Sequence, residues 1–271
     1  MFTNFKKQAF AALCGIALVA GASSASALTV KFTISNNSAP GGVTLTPLYL
    51  GLHDGSFDAF DVGSAASAGV ELLAEDGDFS AVAAERLAVA PNSQGGAIFG
   101  PLAPNPPVLL PGQSNSVELQ INANQNSFLT YLSMILPSND QFIGNDDALA
   151  LFDGSGNFLG DQVIEVTGAD VYDAGTEENT GFGAPFNANG GVATDTIGGV
   201  ITQGPGISEF FGVETAAGFT VDPSAANFAG SKPFSVATIT ITAVPVPAAL
   251  PLLASAFGIM GFVAHRRRKT A

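Results

Sequence analysis

The sequence predicts an all-β protein, an antiparallel β-sandwich with one or two short helices, followed by a C-terminal transmembrane helix. Three observations lead there. Apolar and polar residues alternate with a period of two in widely separated segments; Gly, Pro and Asn punctuate the stretches between them; and the chain closes on an uncharged run capped by Arg266-Arg267-Arg268-Lys269.

The strands follow from the alternation. Leu28, Val30, Phe32 and Ile34 alternate with Thr29, Lys31 and Thr33; Val117, Leu119 and Ile121 alternate with Ser116, Glu118 and Gln120. Ala237, Ile239 and Ile241 alternate with Thr238, Thr240 and Thr242. Each segment predicts a strand with one buried and one wet face. Residues Phe128 to Leu136 are more evenly apolar and predict a central strand covered on both sides. Pro101 to Gly112 reads as a loop, and residues 178–230 are Gly-rich with little pattern. One helix is predicted over Ala65 to Glu75 with Ser64 as its N-cap and Asp76-Gly77 as its stop, and a second over Ser80 to Val89.

Two segments address the chain. Lys6 and Lys7 precede an apolar run from Ala9 to Ala20, and Ala25-Ser26-Ala27 is an A-x-A site. That layout predicts a signal peptide over residues 1–27, removed by signal peptidase. An uncleaved anchor helix is the other reading, but small residues follow the run at once. Cys14 does not make a lipoprotein site, because Leu13 precedes it where a small residue is needed. At the other end, Pro245 to Ala264 gives 20 residues without a charge, about the ~20 needed to cross a bilayer. The cationic stub then keeps the C-terminus cytoplasmic and residues 28–243 outside.

Charge and residue inventory narrow the function. Only Lys31, Arg86 and Lys232 lie between the leader and the tail, against 23 Asp and Glu, so residues 28–243 carry a formal charge of −20. Such a domain repels nucleic acid and anionic lipid and suits divalent cations or plain solubility. The single cysteine falls in the leader, so no disulfide is available to the exported part. His53 is the only histidine outside the tail. A zinc site of N and S ligands is thereby excluded, and His53 reads as a structural side chain rather than a base. No nucleophile elbow, phosphate loop or zinc-protease motif occurs. The chain is expected not to be an enzyme; the alternative is a secreted carbohydrate-active enzyme using two of its many carboxylates.

Hard-cation binding fits the acids better, since calcium takes oxygens from carboxylates and carbonyls on loops. The candidates are Asp140, the pair Asp146-Asp147, and Asp173 with Glu177, two acids four apart around Gly175. Asp153-Gly154-Ser155-Gly156-Asn157 begins like a calcium loop, but Phe158 stands where the turn glycine belongs, and a hairpin turn explains it better.

Read in order, several segments resemble the spondin N-terminal domain. They are His53-Asp54-Gly55-Ser56-Phe57-Asp58, Gly63, Ala66-Ser67-Ala68-Gly69, Ala74-Glu75-Asp76-Gly77, Ser127-Phe128-Leu129, Pro137-Ser138-Asn139-Asp140 and Asp173-Ala174-Gly175-Thr176-Glu177, with a closing strand at Val236 to Thr242. The resemblance implies a β-sandwich over residues 28–243 and calcium held by Asp140, Asp173 and Glu177, with Glu177 where the family has aspartate. The family's tryptophans and disulfide cysteines are missing here, and Tyr172 stands before Asp173. Residues 244–271 resemble the PEP-CTERM class of bacterial sorting signals in its V-P-L-P-A variant, written here Val244, Pro245, Val246, Pro247, Ala248. That resemblance implies an exosortase-type enzyme as partner, an inner-membrane-anchored precursor, and delivery to the cell surface or extracellular matrix, with extracellular polysaccharide as a further partner.

Overall fold

The computed structural model describes residues 27–101, 107–230 and 233–245. The predicted signal peptide up to Ser26, the predicted membrane span beyond Pro245, and sorting-motif residues Val246, Pro247 and Ala248 lie outside the described residues. Among those described, no helix is long and apolar enough to cross a membrane.

The elements run β1 (Leu28–Asn36), β2 (Thr44–Leu45), β3 (Leu48–His53), α1 (Ala68–Asp76), α2 (Ser80–Val89), β4 (Gln94–Ile98), β5 (Ser114–Ile121) and β6 (Phe128–Leu136). They continue with β7 (Gln141–Gly144), β8 (Leu149–Ala150), β9 (Gln162–Thr167), β10 (Val171–Asp173), β11 (Thr202–Gln203), α3 (Pro223–Ala226) and β12 (Ser235–Ala243). Two antiparallel sheets form. The smaller has the order β5-β1-β12-β9; the larger has the order β11-β10-β7-β6-β3-β4, with β2 and β8 also pairing with β6.

The alternating residues are what join the sheets. Val30, Phe32 and Ile34 of β1 and Ile239 and Ile241 of β12 are wholly buried, and they face Leu48, Leu50 and Leu52 of β3 and Leu129 and Ile135 of β6. Each such side chain contributes about 1.5–3 kcal/mol by leaving water. In β12, Val236 and Ala237 are both buried although adjacent, because a register shift against β9 between Ser235 and Ala237 turns one extra residue inward.

Strand β6 is buried on both faces, as its even hydrophobicity predicts. Its second face is covered by the helices: Leu132 packs with Tyr49, Phe142, Val70, Leu73, Ala74 and Val82 in a separate cluster. A helical layer therefore lies on the outer side of the larger sheet.

Helix α2 spans the predicted residues, whereas α1 starts at Ala68 rather than Ala65, and its N-cap is Ser67 rather than Ser64. Ser67 Oγ accepts the Val70 N–H at 3.2 Å and donates to Glu85 of α2 at 2.8 Å, while Glu85 also accepts the Gly69 N–H. This tertiary carboxylate selects the cap, and nothing within the local sequence announces it. The stop at Gly77 holds, with φ +70° and its N–H on the Leu73 carbonyl. Short α3 lies in the Gly-rich stretch, where little pattern predicts a helix.

Candidate functional site

The register of β7 against β10 pairs Gln141 with Asp173. Asp140, just before β7, therefore lies beside the turn that follows β10, and its carbonyl accepts the Ala174 N–H at 3.0 Å. Two segments that are 33 residues apart in the chain thus meet at the end of the larger sheet.

In that turn Gly175 has φ +68°, and a Cβ there would stand 2.5 Å from the Val200 carbonyl oxygen. Only glycine fits, and its conformation turns the next two amides the same way. The N–H groups of Thr176 and Glu177 both donate to Asp140 Oδ2, at 2.8 and 3.0 Å. Successive backbone amides closing on a carboxylate make a small anion-holding concavity.

The other acids are tied in similar ways. Asp173 Oδ1 accepts the Gly175 N–H at 2.9 Å, and its Oδ2 accepts from Asn179 Nδ2 at 2.6 Å. Glu177 Oε2 accepts from Asn139 Nδ2 at 3.3 Å. Asn139 is itself wholly buried and also donates to the Phe182 carbonyl, which anchors the Gly-rich stretch to the site.

Asp140 and Asp173 are both buried. Burial pushes the Asp140 carboxyl above the usual carboxylate range, and the charge of Asp173 raises it further. Glu177 is pushed up to about 7 by burial first and then by Glu75, Asp140 and Asp195, with the Asn139 bond opposing. Burial also raises Glu75, at the end of α1, with Glu71 and Asp140 adding repulsion. Glu209 is raised by burial and by Asp173. Two oxygens of this group, Asp140 Oδ1 and Glu209 Oε1, are buried and have no hydrogen-bond partner among the described residues.

The three acids expected to bind metal are thus brought into one neighbourhood, and the donor set is all oxygen, which suits a hard cation. Among the described residues, however, no three His, Cys, Asp or Glu side chains already converge as a metal cage. Glu75 and Glu209 were not expected as part of the group. Glu75 was present in the Ala74-Glu75-Asp76-Gly77 segment; Glu209 lies in the unpatterned stretch, where no signal marks it.

The remaining candidates fall elsewhere. Asp146 caps a loop by accepting the Val62 N–H, and the Asp147 carbonyl accepts from Asn145. Asp153 closes a hairpin turn, its carboxylate accepting from Ser155 N and Asn157 N at 2.9 Å. His53 is wholly buried. Its Nδ1 accepts the Gly55 N–H, which leaves the ring proton on Nε2 for Thr130 Oγ1 at 3.0 Å. Val244 continues from β12, donating to the Thr29 carbonyl, and Pro245 follows it without regular structure.

The family model Spondin_N matches residues 42–205, which contain the helical layer, both site segments and Glu75. The chain belongs to the spondin N-terminal family. No curated protein matches it. The Spondin_N match begins after β1 and ends before β12, so two strands of the smaller sheet stand outside the matched span. It also runs through residue 205, well into the Gly-rich stretch. Membership in a family of extracellular domains makes this an extracellular protein, with an adhesive role within the family's range.

Proposed function

We propose that this protein is an exported, surface-sorted structural or adhesive domain, not a catalyst, whose acidic loops hold calcium through Asp140, Asp173 and Glu177. The observation that carries the reading is the buried, unpartnered Oδ1 of Asp140 beside a second buried carboxylate. A buried charge without a counter-charge or full hydrogen bonding is costly, and a divalent cation relieves the repulsion of all three acids at once.

The existing hydrogen bonds do not forbid this. An ionised carboxylate offers about four lone-pair sites, so Asp173 can keep its Gly175 N–H while facing a cation. Asn139 holds Glu177 through a single 3.3 Å bond. The ion would tie the β6–β7 loop to the turn after β10, and through Asn139 to the Gly-rich stretch. Magnesium, with its smaller and stricter octahedral shell, suits such a loop-built set less well.

Delivery completes the proposal. Signal peptidase would release the chain near Leu28, residues 244–271 would anchor the precursor in the inner membrane, and an exosortase-type enzyme would recognise Val244 to Ala248. Extracellular polysaccharide is the proposed neighbour at the surface. Calorimetric titration of the full chain with calcium tests the metal site: one bound ion is expected, and its loss in Asp173→Asn. No heat of binding, or equal binding by that variant, rejects it. For the tail, surface protein recovered with Arg266 to Lys269 still attached would count against processing.

A further inference from the structure

A second feature lies on the helical side of the larger sheet, away from the acidic loops. Arg86, in the last turn of α2, is only 3% exposed. Its partners are neutral: Nε donates to Tyr49 Oη at 2.8 Å, and Nη1 donates to Ser93 Oγ. Among the described residues Nη2 has no hydrogen-bond partner and no carboxylate pairs with the guanidinium. The nearest acid on α2, Glu85, is occupied with Ser67 and Gly69.

The strands are shaped around this side chain. Gly51 of β3 is paired with Gly95 of β4. A Cβ at Gly51 would stand 3.0 Å from Arg86 Cδ, and one at Gly95 would stand 2.9 Å from Nη2. The two glycines leave a slot across the sheet in which the arginine lies. The slot opens into a groove of about 340 Å³, lined by Phe79, Ala83, Gly95, Gly96, Ala97 and Phe99 together with Tyr49 and Arg86. Tyr49 stacks on Phe79 at 5.7 Å, Phe79 meets Phe99 edge-on at 6.4 Å, and Phe99 is 43% exposed.

We propose that this groove binds a uronic-acid residue of an extracellular glycan, its carboxylate on Arg86 Nη2 and its ring against Phe79 and Phe99. The chemistry is complementary on each count. A guanidinium held by two neutral partners has N–H groups left for a carboxylate, in a dry setting where charge-assisted bonds are strongest. A floor of Gly95, Gly96 and Ala97 is flat enough for a pyranose, and aromatic walls suit its C–H face. The −20 charge of residues 28–243 repels a dense polyanion, so the fitting ligand is a uronate spaced among neutral sugars or at a chain end. This inference rests on the extracellular reading and is independent of calcium.

The test is equilibrium binding to the full chain, in chelator, of a neutral oligosaccharide ended by glucuronate, beside the same oligosaccharide ended by glucose. The charged probe should bind at least about tenfold more tightly, and Arg86→Met should remove that preference. Because Arg86 also pins Tyr49, Phe99→Ala is the second variant: its side chain is half in solvent, so melting should be unchanged while affinity falls. Equal binding of the two probes, absence of binding, or an unaltered preference in both variants overturns the proposal. Tighter capture of a peptide with a C-terminal phenylalanine than of the glucuronate probe also overturns it. Loss of calcium binding in Asp173→Asn with glycan binding intact would separate the two sites.

Discussion

Asp140 Oδ2 accepts the backbone N–H of Glu177 at 3.0 Å, and that of Thr176 at 2.8 Å. One side chain before β7 therefore shapes the turn after β10 and sets where its acids stand. Replacing Asp140 separates shape from charge. Asp140→Ala leaves two amides without their acceptor and should cost about 2–4 kcal/mol in urea unfolding of the metal-free chain. Asp140→Asn keeps an acceptor and removes the buried charge, so in chelator it should cost less than about 1 kcal/mol. Equal losses in the two variants would mean that charge, not hydrogen bonding, holds the turn.

Gly175 is the second control of that turn. Alanine there meets both a left-handed backbone and the Val200 carbonyl at 2.5 Å. A destabilisation of at least about 2 kcal/mol is expected, together with a weaker calcium response, since the amides on Asp140 would turn away. Denaturant titration in chelator and in calcium measures both. An unchanged midpoint would show that the segment repacks freely.

Much of the fold was legible because alternation reports a half-buried strand directly. Val30, Phe32 and Ile34 needed no tertiary information, and the evenly apolar β6 revealed a covering layer on its far side. The helix start was not legible: Ser64 and Ser67 are equally good caps locally, and Glu85 of α2 chooses between them. The site divided in the same way. Asp140, Asp173 and Glu177 stood in recognisable segments, whereas Glu75 joins them only because α1 packs across β6 and β7. Glu209 and Asn179 arrive from a stretch held by glycines and side-chain hydrogen bonds, which leave no periodic trace. Arg86 read as one of three scattered cations, because its slot exists only once Gly51 and Gly95 face each other across two strands.

The Glu85 cap gives a prediction about the helical layer. Its carboxylate joins Ser67 Oγ and the Gly69 N–H, both at 2.8 Å, at the positive end of α1. Glu85→Ala should cost about 1–2 kcal/mol and Glu85→Gln about half as much. Hydrogen exchange at Gly69 and Val70 should accelerate in step with that loss. Unchanged protection there would place the cap elsewhere.

His53 sets an acid limit. Burial lowers its pKa from the ordinary 6.5, so the folded chain favours the neutral ring, and protonating Nδ1 would forfeit the Gly55 N–H. The unfolded chain therefore binds the extra proton first. The contribution is fully present above 6.5 and is lost as pH falls from there toward the folded value, at up to about 1.4 kcal/mol per pH unit. The stability difference between the natural chain and His53→Asn should shrink over that range. A difference independent of pH would show that the folded histidine takes up its proton as easily as the unfolded one.

The central claim is that the acids around Asp140 are completed by calcium, and melting tests it most directly. The full chain should melt about 5–10 °C higher in calcium at a hundred times its dissociation constant than in chelator, corresponding to about 2.7 kcal/mol. In Asp140→Asn that rise should disappear while the melting point in chelator stays close to that of the natural chain. Identical melting with and without calcium, or a rise that survives in Asp140→Asn, would contradict the account.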